Sequence, residues 1–134
     1  MKYNRVLVAG TFDRLNQGHK FLLKTAFIHC LDELIIGITD DQIIKNKSYS
    51  EIIQSKEIRA KNVLDYIANI NMIGLNTQII FILDKYSISI RDENLNAIVL
   101  TDETISTGLE INTIRKDSGL EELVIIQIKR TDIS

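Results

Sequence analysis

The feature that most constrains the fold is a repeated alternation of short apolar runs with longer segments of helical periodicity. The apolar runs are rich in Val, Ile and Leu and are typical of buried strands; they cover residues 5–9, 33–38, 78–83, 97–100 and 123–128. Helical spacing of apolar residues covers residues 18–31, 55–70 and 107–118. Strands that alternate with helices predict an α/β, Rossmann-like domain of three layers, with a five-stranded parallel sheet and helices on both faces.

Local signals place the helix ends and the region in which a site is expected. Ser55 is a predicted N-cap, and Gly119 follows the last residue of a helical pattern. A polar loop is expected over residues 39–50. The length of 134 residues fits a single domain, 1–134. Parallel sheets bind ligands beyond the carboxyl ends of their strands, so the site residues are expected directly after the strands.

Charge and composition limit the expected partners. The formal net charge is −2, whereas nucleic-acid-binding surfaces carry a basic excess, so no nucleic-acid partner is expected. No apolar run approaches a membrane span or a signal-peptide core, so we expect no membrane association and a cytoplasmic location. Cys30 is the one cysteine, which fits a reducing compartment, and its apolar surroundings predict a buried side chain. The sequence carries no signal for an oligomeric state.

The segment GTFDRLNQGHK, after the first predicted strand, has the composition of an anion-binding loop. Gly10 lets the backbone approach a ligand closely, and Thr11 offers a hydroxyl. Asp13 is expected to fix the loop by accepting hydrogen bonds from backbone amides. Gly18 and His19 stand at the start of a helix, whose amides favour phosphate, and His19 can donate to a phosphate oxygen. These residues also fit an ordinary turn between strand and helix with a surface histidine.

The same string resembles the first signature of the nucleotidylyltransferase superfamily, which is G-T-F-D followed by H-x-G-H or T-x-G-H. The residue types, their order and their spacing agree with that signature. Asn16 stands where the family has His or Thr. An asparagine can donate a hydrogen bond but carries no charge, so this difference bears on the rate more than on the type of reaction.

Further segments resemble phosphopantetheine adenylyltransferases of the archaeal and eukaryotic type. LIIGITDDQII resembles their second strand, and Lys45 and Lys47 fall in their lysine-bearing loop. EIRAKNVL resembles their arginine-containing helix start, with Arg59 in register. Asp84 begins a segment similar to Asp-Pro-Tyr, in which Lys85 replaces the proline. LTDETISTGLEINTIRKDSGL is similar to their S-E-E-T segment and to the I-N-x-I-R that follows it.

The resemblance implies adenylyl transfer from ATP to 4′-phosphopantetheine, with Mg²⁺ accompanying the triphosphate. Mg²⁺ usually binds through substrate phosphates and water, so no protein metal ligand is expected. Related activities remain open: cytidylyl transfer, adenylyl transfer to FMN, or transfer to glycerol phosphate. A nucleotide-binding homologue with weak or no catalysis also remains open.

The resemblance further implies roles for individual residues. Catalytic roles are implied for His19, Thr11 and Lys45. Nucleotide-binding roles are implied for Gly10, Thr11, Phe12, Asn16, Gly18, His19, Glu103, Thr104, Arg115 and Ser134. Acceptor-binding roles are implied for Thr11, Lys45, Lys47 and Asp84. Arg115 also fits an exposed helix position, Lys45 and Lys47 also fit solvated loop charges, and His29 is expected to be structural.

The C-terminal residues resemble the beginning of another family element. Phosphopantetheine adenylyltransferases carry I-S-S-T-x-I-R at a helix start near their C-terminus, and Ile133 and Ser134 match its first two residues. The sequence stops there. We therefore expect a single nucleotidylyltransferase domain that lacks the rest of this element.

Overall fold

The computed structural model describes residues 1–44 and 52–129, which form a parallel sheet covered by helices. The strands are β1 (Tyr3–Gly10), β2 (Cys30–Thr39), β3 (Asn76–Ile82), β4 (Ala97–Thr101) and β5 (Val124–Ile128). The helices are α1 (Gln17–Ile28), α2 (Asp41–Ile44), α3 (Lys56–Ile70) and α4 (Ile105–Asp117), and a 3-10 helix covers Ser87–Ile90. The strand order is β3-β2-β1-β4-β5 and every pairing is parallel. The predicted five-stranded α/β sheet is confirmed.

Residues of β1 point alternately into two hydrophobic cores on opposite faces of the sheet. Val6 and Val8 lie in the core that also contains Val63 of α3, and both are 0% exposed. Leu7 lies in the second core with Ile111 of α4. Full burial of each such side chain contributes about 1.5–3 kcal/mol. The strands are therefore apolar on both sides, as the uninterrupted runs in the sequence predicted.

The helix caps follow the predicted signals, whereas some boundaries differ. Ser55 Oγ accepts from Ile58 N at 3.4 Å and begins α3. Gly119, just past α4, has a φ of 81°, which glycine tolerates best. The helix predicted to reach residue 31 ends at Ile28, because Cys30 already pairs with Tyr3 in the sheet. Cys30 is buried as predicted, but it lies at the start of a strand.

The topology places the end of β1 where the strand order changes direction. The chain runs outward from β1 through β2 to β3 and then returns to the other side of β1 as β4. The gap between the loops after β1 and β4 is the usual ligand crevice of such sheets. Within residues 1–44 and 52–129, none of the helices has the length and apolar character that a bilayer crossing needs.

Candidate active site

The loop between β1 and α1 is held in a strained conformation. Phe12 has a φ of 56° and Arg14 a φ of 46°, in a region that bulky side chains rarely adopt. The Phe12 ring is 1% exposed and lies against Gly10, where an added Cβ would come within 3.3 Å of the ring. We predicted that Phe12 binds the nucleotide, but its ring belongs to the core. Only its backbone can face a ligand, and its side chain shapes the loop.

Asp13 fixes this loop, as predicted, by binding a backbone amide. Its Oδ1 accepts from Gln54 N at 2.9 Å, and its Oδ2 lies 2.7 Å from Arg14 Nη1. Arg14 N donates in turn to Gln54 Oε1 at 3.0 Å. The loop is therefore fastened to the residues that precede α3.

Asn16 and His19 form a reciprocal pair at the start of α1. Asn16 Oδ1 accepts from His19 N at 3.0 Å, and Asn16 N donates to His19 Nδ1 at 3.2 Å. Because Nδ1 accepts, the proton of the neutral imidazole is on Nε2, which can donate to a ligand. Asn16 Oδ1 is likewise committed to the helix, so its side-chain NH₂ is the group available to a phosphate.

This pair leads to a prediction for two substitutions of Asn16. Asn16→Ala removes an N-cap and is expected to lower the free energy of unfolding by about 1 kcal/mol. Asn16→Asp retains the cap but places a carboxylate beside the phosphates, so we expect ATP affinity to fall about tenfold while stability is kept. Urea unfolding and calorimetry measure the two effects. Tight ATP binding by Asn16→Asp would place the phosphates away from this residue.

His19 is in an environment that keeps its ring neutral. Partial burial lowers the pKa of His19 below the usual 6.5, and the carboxylate of Asp13 opposes this only in part. The ring also meets Phe12 edge-on, with the ring centroids 5.6 Å apart. At neutral pH His19 therefore acts as a neutral hydrogen-bond donor through Nε2.

The lowered pKa of His19 leads to a prediction about pH. As the pH falls from 6.5 towards the pKa of the folded ring, the His19 contribution to the free energy of unfolding is expected to decrease, because the unfolded chain binds the proton more readily. Bound ATP is expected to raise the pKa of His19, since nearby negative charge favours the imidazolium. NMR titration of the two histidines, assigned with His29→Gln, measures both. An unchanged His19 titration with saturating ATP would contradict phosphate binding here.

Two adjoining cavities open beside the start of α1 and share Leu22 and Thr101 in their walls. The smaller cavity, ≈ 250 Å³, is otherwise lined by Asn16, Gly18, His19, Asp102, Glu103 and Ile128. The larger cavity, ≈ 450 Å³, extends from Gly10 and Thr39 past the end of β4. The two cavities therefore form one crevice at the carboxyl edge of the sheet.

The other predicted residues near these cavities take distinct positions. Thr11 Oγ1 donates to Thr39 Oγ1 over 3.4 Å, and Thr39 lines the larger cavity. Thr104 also lines the larger cavity, and its Oγ1 accepts from Thr101 N at 3.0 Å, which closes the turn after β4. Together with Glu103 in the smaller cavity, these residues bring the first loop and the S-E-E-T-like segment to one site.

Asp84 differs from its predicted role. Its Oδ1 accepts from the amides of Tyr86, at 3.2 Å, and Ser87, at 2.5 Å, and so closes a turn. The cavity wall is formed instead by Lys85 and Tyr86, which both donate to Glu110 Oε2, at 3.0 and 2.7 Å. These hydrogen bonds, from Tyr86 first and then Lys85, lower the pKa of Glu110. Lys85 and Tyr86, and not Asp84, therefore supply the polar side chains of this part of the cavity wall.

Arg115 also differs from its predicted role. It is 1% exposed, so it is neither an exposed helix residue nor a group that faces a ligand. Its Nε donates to the carbonyl of Glu121 at 2.7 Å, and its Nη1 to those of Ser89 and Asp92 at 2.8 and 3.0 Å. It lies in the last turn of α4, whereas the cavities lie at the helix start. Its role is to join α4 to the residues before β5 and to the segment 89–92, of which Ser89 also lines the larger cavity.

Arg59 is the important residue whose role sequence reasoning missed. It is 0% exposed, and its Nη1 donates to the carbonyls of Thr11 and Thr39, both at 2.9 Å. A signal was present: Arg59 lies one and two turns before Val63 and Ile67, on the apolar face of α3. A charged residue on that face must find polar partners inside the protein. Lys45, Lys47 and Ser134 lie outside the described residues.

Parallel sheets of this order bind nucleotides where the strand order changes direction, with the phosphates on a helix N-terminus. The strained loop, the start of α1 and both cavities lie at that point. The fold and the site thus define a nucleotide-binding α/β protein.

Comparison with known proteins gives the family. A family model described as cytidylyltransferase-like matches residues 7–133. Phosphopantetheine adenylyltransferase of Pyrococcus abyssi is 39% identical over 128 residues, which are 96% of this chain and 80% of that protein. Its counterpart from Methanothermobacter thermautotrophicus is 36% identical over 127 residues, 95% of this chain and 74% of that protein. The chain therefore belongs to the cytidylyltransferase-like family, and within it to the phosphopantetheine adenylyltransferases.

A solved structure agrees with this fold. The crystal structure of a protein with unknown function from Archaeoglobus fulgidus matches with a TM-score of 0.80 and 28% sequence identity. The match covers 96% of this chain and 89% of that chain. The family that the first loop indicated is confirmed.

Proposed function

We propose that this chain transfers the adenylyl group of ATP to 4′-phosphopantetheine, which yields dephospho-coenzyme A and pyrophosphate. The observation that carries the proposal is the orientation of His19. Its Nδ1 accepts from Asn16 N, so Nε2 is the donor, and the residue lines a cavity at a helix N-terminus. The relatives of 36% and 39% identity, both named phosphopantetheine adenylyltransferase, support this activity.

The two cavities suit the two substrates. The smaller cavity takes the triphosphate, because the start of α1 and His19 line it. The larger cavity takes the acceptor, since its wall includes the apolar side chains of Leu7, Ile98 and Ile111, which fit an extended arm of low charge. Thr39 lines the same cavity, and its hydroxyl lies 3.4 Å from that of Thr11. We place the acceptor phosphate beside these two hydroxyls.

The chemistry is an in-line displacement at phosphorus. An oxygen of the acceptor phosphate forms a bond to the α-phosphorus of ATP, the bond from that phosphorus to the bridging oxygen breaks, and pyrophosphate leaves with the electron pair. The acceptor phosphate is already a nucleophile, so no protein base is needed. The protein has to align the reacting atoms and spread the developing charge.

The residues divide this work between them. His19 Nε2 and the first amides of α1 stabilise charge on the triphosphate, and Asn16 assists through its side-chain NH₂. Thr11 positions the acceptor phosphate or the α-phosphate. Glu103 shapes the nucleotide side, as would Ser134, whereas Thr104 lines the larger cavity and so lies on the acceptor side. Lys45 or Lys47 would neutralise the acceptor phosphate.

Mg²⁺ enters this proposal as part of the substrate MgATP. Within residues 1–44 and 52–129, no group of three or more His, Cys, Asp or Glu side chains is arranged to hold a metal ion. In this proposal the ligands of the metal are phosphate oxygens and water.

The experiment combines each nucleotide, ATP or CTP, with each acceptor, which is phosphopantetheine, FMN or glycerol phosphate. Pyrophosphate release is measured for every pair in the presence of Mg²⁺. Release with ATP and phosphopantetheine, well above every other pair, is the expected result. Faster release with CTP or with another acceptor would assign a related transferase. Binding of ATP in a calorimeter with no release from any pair would identify a nucleotide-binding homologue without catalysis.

A further inference from the structure

The guanidinium of Arg59 joins four segments of the chain at the ligand edge of the sheet. Nη1 donates to the carbonyls of Thr11 and Thr39, each at 2.9 Å, and so bridges the ends of β1 and β2. Nε donates to the carbonyl of Gln54 at 2.8 Å, and Nη2 lies 2.7 Å from Asp41 Oδ1. Each nitrogen of this buried group thus has a partner, and all the partners lie near the site.

The contacts of Arg59 act on a loop that would not keep its conformation unaided. Phe12, directly after the carbonyl that Arg59 binds, has a φ of 56°, and Arg14 has a φ of 46°. Strained residues of this kind persist only where surrounding contacts enforce them. Two of the enforcing contacts come from Gln54, whose own carbonyl Arg59 holds. Arg59 is therefore the common anchor of the strained loop and of the segment that braces it.

We propose that Arg59 is a positioning residue for phosphate transfer: its guanidinium fixes the carbonyls of Thr11 and Thr39, and thereby the placement of the Thr11 hydroxyl and of the His19 ring. The connection from Arg59 to His19 is short. Arg59 holds the Thr11 carbonyl, the next residue is Phe12, and the Phe12 ring meets the His19 ring edge-on. The expected effect of Arg59 on the reaction rate rests on the proposed function. The anchoring of the loop rests only on the contacts described above.

A lysine cannot replace this arginine. Arg59 satisfies its partners with several N–H donors held in a planar, rigid fork. These partners are the carbonyls of the two strand ends, the carbonyl of Gln54 and the carboxylate of Asp41. One ammonium group on a flexible stem can reach only part of that set. Displacements of about 1 Å around reacting atoms can lower rates about 100-fold, so loosening the loop is expected to act on the chemical step.

The test compares Arg59→Lys with Arg115→Lys. Arg115 is the matched control, because it is also buried and also donates to three backbone carbonyls, but to those of Ser89, Asp92 and Glu121 instead of the loop after β1. Because Ser89 lines the larger cavity, Arg115→Lys is allowed to change KM for the acceptor, and kcat is the quantity that separates the two variants. Both substitutions are expected to lower the melting temperature. At a temperature where circular dichroism shows both variants folded, only Arg59→Lys is expected to lower kcat, by about 100-fold, with a smaller change in KM.

A second measurement does not depend on turnover. NMR titration of His19 is expected to show its pKa moving towards 6.5 in Arg59→Lys, because the ring loses its packing against Phe12, and staying low in Arg115→Lys. If the wild-type chain releases no pyrophosphate with any acceptor, the proposed function fails, and this titration still tests the role of Arg59.

A further variant covers the case in which Arg59→Lys does not fold. Asp41→Asn removes the carboxylate partner of the guanidinium, at a side chain that is 41% exposed. Compared with Arg59→Lys, it is expected to lower kcat and to move the His19 pKa towards 6.5 by smaller amounts. Equal losses of kcat in the two lysine variants would overturn the proposal. So would a His19 titration that neither Arg59→Lys nor Asp41→Asn changes.

Discussion

Replacing His19 by alanine is expected to lower kcat for pyrophosphate release by about 10²–10³-fold. The ring is a preorganised donor: Asn16 N fixes Nδ1 as the acceptor, and partial burial keeps the ring neutral with its proton on Nε2. Removing such a donor costs most where charge develops in the transition state, so kcat is expected to fall more than KM rises. Steady-state kinetics with ATP and phosphopantetheine measure the effect.

The chain offers a matched control for this substitution. His29, the other histidine, lies at the opposite end of α1, with its Nδ1 2.8 Å from the carbonyl of Thr25. His29→Ala is expected to leave kcat unchanged. His19→Gln, which keeps a side-chain N–H, is expected to fall between the wild type and His19→Ala. Near-normal turnover by His19→Ala would remove the basis for phosphate binding at the start of α1.

Arg115→Ala is expected to lower the free energy of unfolding by about 3 kcal/mol. The substitution removes the donor from a buried hydrogen bond to the Ser89 carbonyl and from partly buried ones to Asp92 and Glu121, and a buried group left unsatisfied costs about 1–3 kcal/mol. It also removes the volume of one of the largest fully buried side chains. Urea unfolding monitored by circular dichroism measures the change.

The neighbouring residue Lys116 is the control for Arg115→Ala. Lys116 is exposed in the same helical turn, so Lys116→Ala is expected to change stability by less than about 0.5 kcal/mol. ATP affinity, measured below the unfolding transition, is expected to stay near the wild-type value in both variants. An Arg115→Ala protein of normal stability that binds ATP weakly would instead support the nucleotide-binding role that the family resemblance implied.

Much of the fold could be predicted because it depends on local patterns. The buried strands appear as unbroken apolar runs, since both of their faces are covered, and Ser55 and Gly119 act within one helical turn of their own position. The order of the strands could not be obtained in this way. Val6 of β1 lies beside Ala97 of β4, and no periodicity specifies which distant strand is a neighbour.

The site could be predicted where it lies within one segment. Asn16 and His19 belong to one short motif, and the structure places both on the same cavity. The two buried arginines could not be assigned, because their partners are distant in sequence. Arg59 reaches a carbonyl 48 residues away and Arg115 one 26 residues away. Residue type and spacing do not reveal which carbonyls a guanidinium will find.

The central position of β1 affects which part of the sheet opens first. β1 pairs with β2 on one side and with β4 on the other, while β3 and β5 are the outermost strands. Local opening of a domain begins where elements have the fewest neighbours, which in a sheet is its margin. The loop between β1 and α1 is thus attached to the part of the domain that opens last. The outer strands contribute only wall residues at their ends, Ile82 of β3 to the larger cavity and Ile128 of β5 to the smaller one, so their fraying would loosen the cavity walls before it moved the loop.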